Sequence, residues 1–339
     1  MNAQEALKCV LAGEDLGREN MRAVLDDLFE GKADPVAIAG LLVALTSRGE
    51  TRAELIGAAS AMRAAMVTFE HDAPGAIDTC GTGGSGLDTF NISTCSALVA
   101  AAAGAQVIKH GNRSASSKCG SADLLEAAGV PLELSPKGAR TVLDAVGITF
   151  LFAPAYHPAM RHAGPIRKAL GVRTIFNLLG PLCNPGAVKR QVLGVFDPSR
   201  VADLGHVLAE LGAEQALVVH GGEGADELTL AGQNSLHAIG SVPDTGWNAQ
   251  ALGLDVHPIQ TCCGGDAQAN LNSLHDLLAG EAVAARDFVL LNAAAALVVA
   301  GEAGTPLEGV QLAREAIDSG NARRKLDQWV ACAQGAAKA

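Results

Sequence analysis

A glycine-rich stretch is the first part of this sequence whose residue types suit chemistry. Residues 81–86 read GTGGSG and match the pattern GxGxxG. Glycines lack a Cβ, so their backbone N–H groups can approach an anion closely, and a helix that begins soon afterwards adds the positive end of its dipole. The stretch therefore suits a phosphate group. A plain turn between a strand and a helix is the alternative, and the glycine pattern alone favours the turn.

The residues around the glycines exclude two common nucleotide sites. A dinucleotide loop needs a helix that begins at the third glycine and an acidic residue about twenty positions later. No Asp or Glu lies between Asp88 and Asp123, and the next predicted helix begins near Ser93. A P-loop needs Gly-Lys-Ser or Gly-Lys-Thr after the glycines, and neither follows here.

The distribution of charge favours an anionic ligand. Residues 89–122 and 145–196 contain no Asp or Glu, yet they hold nine of the 25 Lys and Arg residues. If the two segments meet in the fold, they focus positive potential on one cleft. Simple burial explains the missing acids but not the nine cations. The net charge of −11 argues against nucleic acid or an anionic membrane as a partner, so we expect a small molecule.

Two further clusters follow predicted strands, where α/β sheets usually bind ligands. Residues 109–113 read KHGNR and supply cationic donors and an amide after one strand. Asp226 and Glu227 follow another strand in the loop GGEGADELT. Adjacent carboxylates are more often part of a solvated loop than a metal site. Opposite a polyphosphate they are the oxygen ligands that Mg²⁺ uses together with substrate phosphates and water.

The elements that must position these clusters change type along the chain. The first seventy residues show helical periodicity, with a helix beginning at Asp34-Pro35 and another beginning at a capping box of Thr51 and Glu54. After residue 75 short strands alternate with helices, which indicates a mostly parallel sheet. The predicted strands are 76–79, 106–109, 148–152, 192–196, 216–220 and 236–239, with helices at 93–103, 121–128 and from Ser135-Pro136.

The pattern returns to helical, with interspersed prolines, between Pro154 and Pro185. We therefore predict an α/β protein with a small discontinuous helical domain, and a large α/β domain with a mostly parallel central sheet and flanking helices. The predicted limits are 1–72 with a returning segment at about 157–190 for the helical domain, and 73–156 with 191–339 for the α/β domain.

Other sequence features suggest the environment of the protein. The eight cysteines show no CxxC spacing, so we interpret all of them as free thiols. The first twenty residues contain no basic-then-apolar secretion signal, and the longest apolar run, 287–300, is too short to span a bilayer. These features predict a soluble, cytoplasmic protein.

Several spaced motifs carry a family resemblance that covers nearly the whole chain. They are GTGG followed by NIST, KHGNRSASSKCGSADLLEAAG, HPAMRHAGPIRKALGVRTIFNLLGPLCNP, GADELT and GGDAQAN. In this order they resemble the anthranilate phosphoribosyltransferases of tryptophan biosynthesis. The resemblance implies a fold shared with pyrimidine nucleoside phosphorylases, a hinge between the two domains and a homodimer. It also implies transfer of a phosphoribosyl group from 5-phosphoribosyl 1-diphosphate to the amine of anthranilate.

The resemblance assigns expected roles to individual residues. For phosphoribosyl diphosphate they are Gly81, Gly84, Ser85, Thr89, Asn91, Ile92, Ser93, Thr94, Lys109, His110, Gly111, Asn112, Arg113, Ser114, Ala115, Ser116, Ser117 and Ser121. For anthranilate they are Gly81, Asn112 and Arg167, with His110 and Tyr156 nearby. For Mg²⁺ they are Ser93, Asp226 and Glu227. No residue is expected to act as a strong general base, so catalysis is assigned to positioning and electrostatics.

The chain departs from the family pattern at two positions. The family loop usually reads GTGGDG, and here Ser85 replaces the Asp; Cys119 stands where the family usually has Ser. Loss of the carboxylate is expected to weaken binding of the diphosphate or its metal. A nucleoside phosphorylase of the same fold and a non-catalytic binding relative remain the alternatives.

Overall fold

The computed structural model describes residues 1–114, 118–281 and 283–338. In this part of the chain the order of elements begins with four helices and continues as alternating strands and helices. The four helices are α1 (Ala3–Leu11), α2 (Gly17–Phe29), α3 (Pro35–Arg48) and α4 (Arg52–Ala64). Their beginnings follow the capping rules read from the sequence. Asp34 accepts a hydrogen bond from the N–H of Ala37 at 2.8 Å, and Thr51 and Glu54 form the predicted capping box.

Six strands form one sheet in the order β3-β2-β1-β4-β5-β6. They are β1 (Ile77–Gly81), β2 (Val107–Gly111), β3 (Ile148–Phe152), β4 (Arg190–Gly194), β5 (Gln215–His220) and β6 (Ser235–Ile239). The first five are parallel, and β6 is antiparallel to β5. Because the chain enters the sheet at β1 and extends it on both sides, β1 and β4 are central neighbours whose carboxyl ends open onto one crevice.

The remaining helices connect and cover the strands. They are α5 (Ile92–Ala102), α6 (Ser121–Ala127), α7 (Pro136–Val146), α8 (Ala153–Tyr156), α9 (Met160–Leu170), α10 (Ile175–Leu179), α11 (Val201–Glu210), α12 (Ala267–Leu278), α13 (Ala285–Ala300), α14 (Pro306–Asp318) and α15 (Asn321–Ala336). Helix α13 is buried along nearly its whole length and packs on α5 and on strands β1, β4 and β5. It supports the sheet beneath the site.

The segment between β3 and β4 returns to the N-terminal helices. Helix α9 packs on α2 and α3, α10 packs on α3 and α4, and the rings of Phe29 and Phe176 meet edge to face at 6.3 Å. The apolar core of this helical part continues onto one face of β4 and β5. The predicted fold class is confirmed. The predicted limits of the two domains stay a prediction.

Strand β3 has its predicted limits, and the other five strands begin or end differently because backbone pairing, not side-chain polarity, sets their limits. Strand β4 begins at Arg190, which pairs with Ile77 of β1 and Gln215 of β5. Strand β2 extends to Gly111, so Lys109 and His110 lie within the strand and not after it. All eight cysteines are free thiols, as predicted. Among the described residues no helix is long and apolar enough to cross a membrane.

Candidate active site

The glycine loop leaves β1 directly after Gly81 and requires its glycines. Gly83, Gly84 and Gly86 have φ values of 65°, 85° and 73°, in the left-handed region that side chains other than glycine rarely adopt. A Cβ on Gly81 would lie 2.3 Å from Asp226 Oδ2, and one on Gly194 would lie 1.5 Å from the Asp226 carbonyl oxygen. The missing side chains at the ends of β1 and β4 therefore let the acidic loop lie directly against the glycine loop.

The two carboxylates lie at this junction. Asp226 Oδ2 accepts a hydrogen bond from the N–H of Gly83 at 2.8 Å. Burial raises the pKa of Asp226, while this bond and one from the Ser85 side chain oppose the rise. Burial raises the pKa of Glu227 well above its usual value, and the neighbouring Asp226 charge adds to the effect. The charge of Lys109 acts in the opposite direction and lowers the pKa of Glu227.

A small cavity of about 20 Å³ lies between the carboxylates and the first turn of α5. Its lining includes Thr79, Ser93, Gly194, Asp226, Glu227 and Asn292. The cavity thus brings together the three residues predicted to bind Mg²⁺. Hard oxygen donors of this kind fit Mg²⁺. Within the described ranges no three His, Cys, Asp or Glu residues cluster as a metal site, so a bound ion would need substrate oxygens or water as further ligands.

Lys109 approaches the same site from β2. Its side chain is 1% exposed, and Nζ donates to the carbonyl oxygen of Thr79 and lies 3.4 Å from Ser93 Oγ. Burial lowers the pKa of Lys109, and the negative charge of Asp78 opposes this effect most strongly. The amino group of Lys109 is therefore held in one place beside Ser93, the proposed metal ligand.

Three buried polar groups lie where β2 and α8 meet. His110 Nε2, His157 Nε2 and the Tyr156 hydroxyl make no hydrogen bond within the described part of the chain, and the two imidazole centroids are 5.1 Å apart. Burial lowers the pKa of His110 to about 3 and that of His157 to about 4. Burial also raises the pKa of Tyr156 to about 12. All three groups are therefore neutral near pH 7 and supply no strong base.

Arg167 is a cation without an acidic partner among the described residues. It lies on α9, and its guanidinium sits 5.4 Å from the centre of the Phe176 ring. Burial lowers its pKa, and no carboxylate opposes that effect. A half-buried guanidinium of this kind is suited to bind a carboxylate from a ligand.

Comparison with known proteins agrees with this arrangement of elements. Residues 73–323 match the family described as "Glycosyl transferase family, a/b domain", and residues 4–66 match "Glycosyl transferase family, helical bundle domain". The anthranilate phosphoribosyltransferase of Brevibacillus brevis is 46% identical over 324 residues, which are 95% of this chain and 95% of that relative. The one from Anaeromyxobacter is 47% identical over 98% of this chain and 99% of its own. The chain belongs to the anthranilate phosphoribosyltransferase family.

Solved structures of the family superpose along nearly the whole chain. The crystal structure of anthranilate phosphoribosyltransferase from Thermus thermophilus has a TM-score of 0.89 and 44% identity, covering 97% of this chain and 99% of its own. The Saccharomyces cerevisiae enzyme in complex with PRPP and Mg has a TM-score of 0.88 and 25% identity, covering 98% of both chains. Another structure of the yeast enzyme contains 4-fluoroanthranilate.

Not every residue assigned by resemblance to this family presents its side chain to the cavity. Ile92 and Thr94 are buried in the first turn of α5, and the Ile92 N–H already donates to the Phe90 carbonyl oxygen at 2.7 Å, so of their backbone groups only the Thr94 N–H is placed to meet an anion. Thr89 pairs with Cys263 in an isolated bridge. Gly111 packs against Ser121 Oγ and the Phe150 ring, where a Cβ would clash.

In the loop after β2, the positive charge of Arg113 is paired with nearby acidic residues. Arg113 forms two hydrogen bonds of 2.8 Å with Glu126 and one of 3.0 Å with Asp123, which also accepts from the N–H of Ser114. Asn112 accepts from the Arg113 N–H and the Ser121 hydroxyl. The assignments to Ala115, Ser116 and Ser117 lie outside the described residues.

Asp78 and Asn184 form hydrogen bonds that hold the strands under the cleft together. The sequence motifs assign neither residue a role. Asp78 is fully buried in β1 and accepts from the His110 N–H at 3.2 Å and from Asn184 Nδ2 at 2.9 Å. Asn184 Nδ2 also donates to the Ile108 carbonyl oxygen at 2.8 Å. The sequence does contain a signal for this role, because Asp78 is an acidic residue inside an apolar predicted strand just before the glycines.

Arg173 enters the sequence pattern only as one of the cations of the acid-free segments. Its Nη1 donates to the Gly84 carbonyl oxygen at 2.8 Å, and its guanidinium lies 4.1 Å from the centre of the Phe196 ring. The carbonyl oxygen of Arg173 accepts from Thr46 of α3 at 3.4 Å. Arg173 thus connects the helical part of the molecule to the glycine loop.

Proposed function

We propose that this chain transfers the phosphoribosyl group of 5-phosphoribosyl 1-diphosphate to the amine of anthranilate. The products are N-(5-phosphoribosyl)anthranilate and diphosphate, in tryptophan biosynthesis. The observation that carries the proposal is the contact between the glycine loop and the acidic loop, where Asp226 accepts from the Gly83 N–H beside Ser93 and Lys109. This arrangement supplies backbone donors, a cation and metal-binding oxygens around one cavity.

The diphosphate end of the substrate is bound by the glycine loop, the first turn of α5 and Lys109. The loop has left-handed glycines at 83, 84 and 86; the Gly83 N–H donates to Asp226, so the N–H groups of Gly84 and Gly86 are the ones that would meet the diphosphate. Ser93, Asp226 and Glu227 would hold Mg²⁺, which when bound neutralises charge on the departing diphosphate. Lys109 adds a buried positive charge to the same end.

A second group of residues binds anthranilate. Arg167 binds its carboxylate, and the Gly81 backbone and the Asn112 amide contact its amine and ring. The neutral imidazole of His110 adds no positive charge that would oppose the cationic transition state at the ribose carbon. Because no strong base is present among the described residues of the site, the rate depends on positioning and electrostatics, and the proton leaves through the substrate's own acidic groups.

The assembly and location of the protein are proposed with the function. We propose a homodimer of cytoplasmic chains, each with a helical domain of residues 1–72 and 157–190 and an α/β domain of the remainder. The separate family matches to residues 4–66 and 73–323 support two units. The net charge of −11 argues against nucleic acid or membranes as partners.

The direct test is a fluorescence assay of the purified chain. With phosphoribosyl diphosphate and Mg²⁺ present, anthranilate fluorescence should decay, and complete chelation of the metal should stop the decay. Phosphorolysis of a pyrimidine nucleoside without consumption of anthranilate would instead identify the related nucleoside phosphorylase activity and refute the proposal.

The role of the acidic pair has its own test in the double variant Asp226→Asn/Glu227→Gln. Without these ligands the KM for phosphoribosyl diphosphate should rise by about 10–100-fold or more, while the KM for anthranilate changes little. The matched control is Asp26→Asn/Asp27→Asn, which neutralises an adjacent pair on α2. Wild-type kinetics in the first variant would show that Asp226 and Glu227 form only a solvated loop.

A further inference from the structure

Asn270 lies on α12 and has no role in the assignments above. Its side chain is 1% exposed, and both its oxygen and its nitrogen form hydrogen bonds. Oδ1 accepts from both the backbone N–H and the side-chain amide of Asn91, each at 3.1 Å. Nδ2 donates to the carbonyl oxygens of Gly265 and Asp266 at 3.1 and 3.0 Å. A buried amide with all its partners satisfied holds them in one geometry.

Asn91 occupies the N-cap position of α5 but does not act as a cap. Asparagine at this position usually accepts a hydrogen bond from the first turn of its helix. Here, in the described part of the chain, its side chain makes no such bond. It donates instead to Asn270 Oδ1 and to the carbonyl oxygen and sulfur of Cys119, the latter two at 3.3 Å. The first-turn N–H groups of α5 are thus not covered by the Asn91 side chain.

The backbone next to Asn91 is fixed by the segment that leads into α12. The Phe90 N–H donates to the Cys262 carbonyl oxygen at 3.0 Å, and the Gly264 N–H donates to the Asp88 carbonyl oxygen at 2.8 Å. A Cβ on Gly264 would lie 2.3 Å from the Thr89 carbonyl oxygen. Residues 262–270 therefore pack closely against the backbone of residues 88–91.

We propose that Asn270 is a positioning residue for phosphoribosyl diphosphate. It acts through Asn91, which it holds away from the N-terminus of α5, so that the N–H groups of Ser93 and Thr94, which a cap would cover, remain available to the phosphate groups of the substrate. The inference rests on the proposed function and extends the site to a residue that does not touch the substrate. In the absence of Asn270, the Asn91 side chain is free to cap α5 and compete with the substrate for these donors.

The first experiment measures substrate binding by Asn270→Ala. Calorimetric titration with phosphoribosyl diphosphate in the presence of Mg²⁺ should show a dissociation constant raised by roughly tenfold, which corresponds to loss of a buried hydrogen-bond partner. The KM for phosphoribosyl diphosphate should rise by a similar factor, and the KM for anthranilate should stay unchanged. If Asn270 only stabilised the fold, its removal would not raise the KM for phosphoribosyl diphosphate while leaving the KM for anthranilate unchanged.

A double-mutant cycle tests whether Asn270 acts through Asn91. Asn91→Ala removes the side chain that competes for α5, so adding Asn270→Ala to it should weaken binding of phosphoribosyl diphosphate much less than Asn270→Ala does alone. Equal effects of Asn270→Ala in the two backgrounds would overturn the proposed route.

Two control variants on α12 separate positioning from stability. Asn272→Ala removes an exposed amide that contacts only Gln268 among the described residues, and it should leave binding unchanged. Leu277→Ala removes a buried apolar side chain and should lower the melting temperature without a selective effect on phosphoribosyl diphosphate. If Asn270→Ala behaves like Leu277→Ala, the inference is wrong. A wild-type chain that binds phosphoribosyl diphosphate but does not consume anthranilate would refute the proposed function and leave this calorimetric test intact.

Discussion

At the residue scale, some cationic side chains assigned to the candidate site are paired with acids and others are not. Arg113 is already held by Glu126 and Asp123, whereas Arg167 has no acidic partner in the described part of the chain. In the sequence both residues are simply cations of acid-free segments. Nothing there distinguishes them, because the acids that bind Arg113 lie just beyond its segment and reach it only after α6 forms.

Arg167→Ala tests the anthranilate carboxylate site. Truncating one partner of a charged pair costs about 2–5 kcal/mol when both groups are buried, and the lower end applies to this half-exposed side chain. The KM for anthranilate should therefore rise by roughly 30-fold, with little change for phosphoribosyl diphosphate. Arg161→Ala, on the exposed side of the same helix, is the matched control. Equal changes for both substrates would identify Arg167 as a structural residue.

The second prediction at the residue scale concerns Ser85, which stands where the family usually has Asp and whose side chain acts to lower the pKa of Asp226. Ser85→Asp places a further carboxylate beside the proposed metal ligands. The Mg²⁺ concentration at half-maximal rate should fall, because second-shell acceptors anchor the water of a bound metal. Ser85→Asn introduces a side chain of the same shape as Asp but without its charge. This variant should not lower the Mg²⁺ concentration at half-maximal rate. A Mg²⁺ requirement that rises in Ser85→Asp would mean that repulsion between the carboxylates dominates.

At the scale of elements, all six strands of the described sheet could be located from the sequence, but most of their ends could not. The prediction followed apolar side chains, while the ladder includes polar residues such as Arg190, Gln215 and His110 because their backbones pair. For the site this difference matters. Lys109 is rigid because it lies within β2, and periodicity could not show that its side chain runs beneath the neighbouring strand to Thr79.

Gly194→Ala tests the close approach of the acidic loop to β4. The new Cβ would lie 1.5 Å from the Asp226 carbonyl oxygen, so the loop must move away from the glycine loop. The KM for phosphoribosyl diphosphate should rise about tenfold or more, since a misplacement of about 1 Å can cost that much or more. Gly335→Ala in α15 meets open space and should leave kinetics unchanged while keeping or slightly raising the melting temperature. Unchanged kinetics in Gly194→Ala would show that this contact is dispensable.

At the scale of the whole molecule, the two acid-free segments meet, which is the condition under which their positive charge focuses on one cleft. Asn184 of the second segment bonds to Ile108 of the first, and the rings of His110 and His157 lie side by side. Fewer of the cations are free than the pattern indicated, because Arg113, Lys118 and Lys189 pair with acids outside the segments. Those acids lie close only in the folded chain, so sequence spacing could not reveal them.

The measurement that tests the central claim most directly is the stoichiometry of one reaction mixture. With the wild-type chain, phosphoribosyl diphosphate and Mg²⁺, each anthranilate consumed should release one diphosphate, and both should stop when the metal is chelated. Equal molar amounts are expected throughout the time course. Release of diphosphate that is independent of anthranilate, or no consumption of anthranilate at any Mg²⁺ concentration, would contradict the proposed transfer.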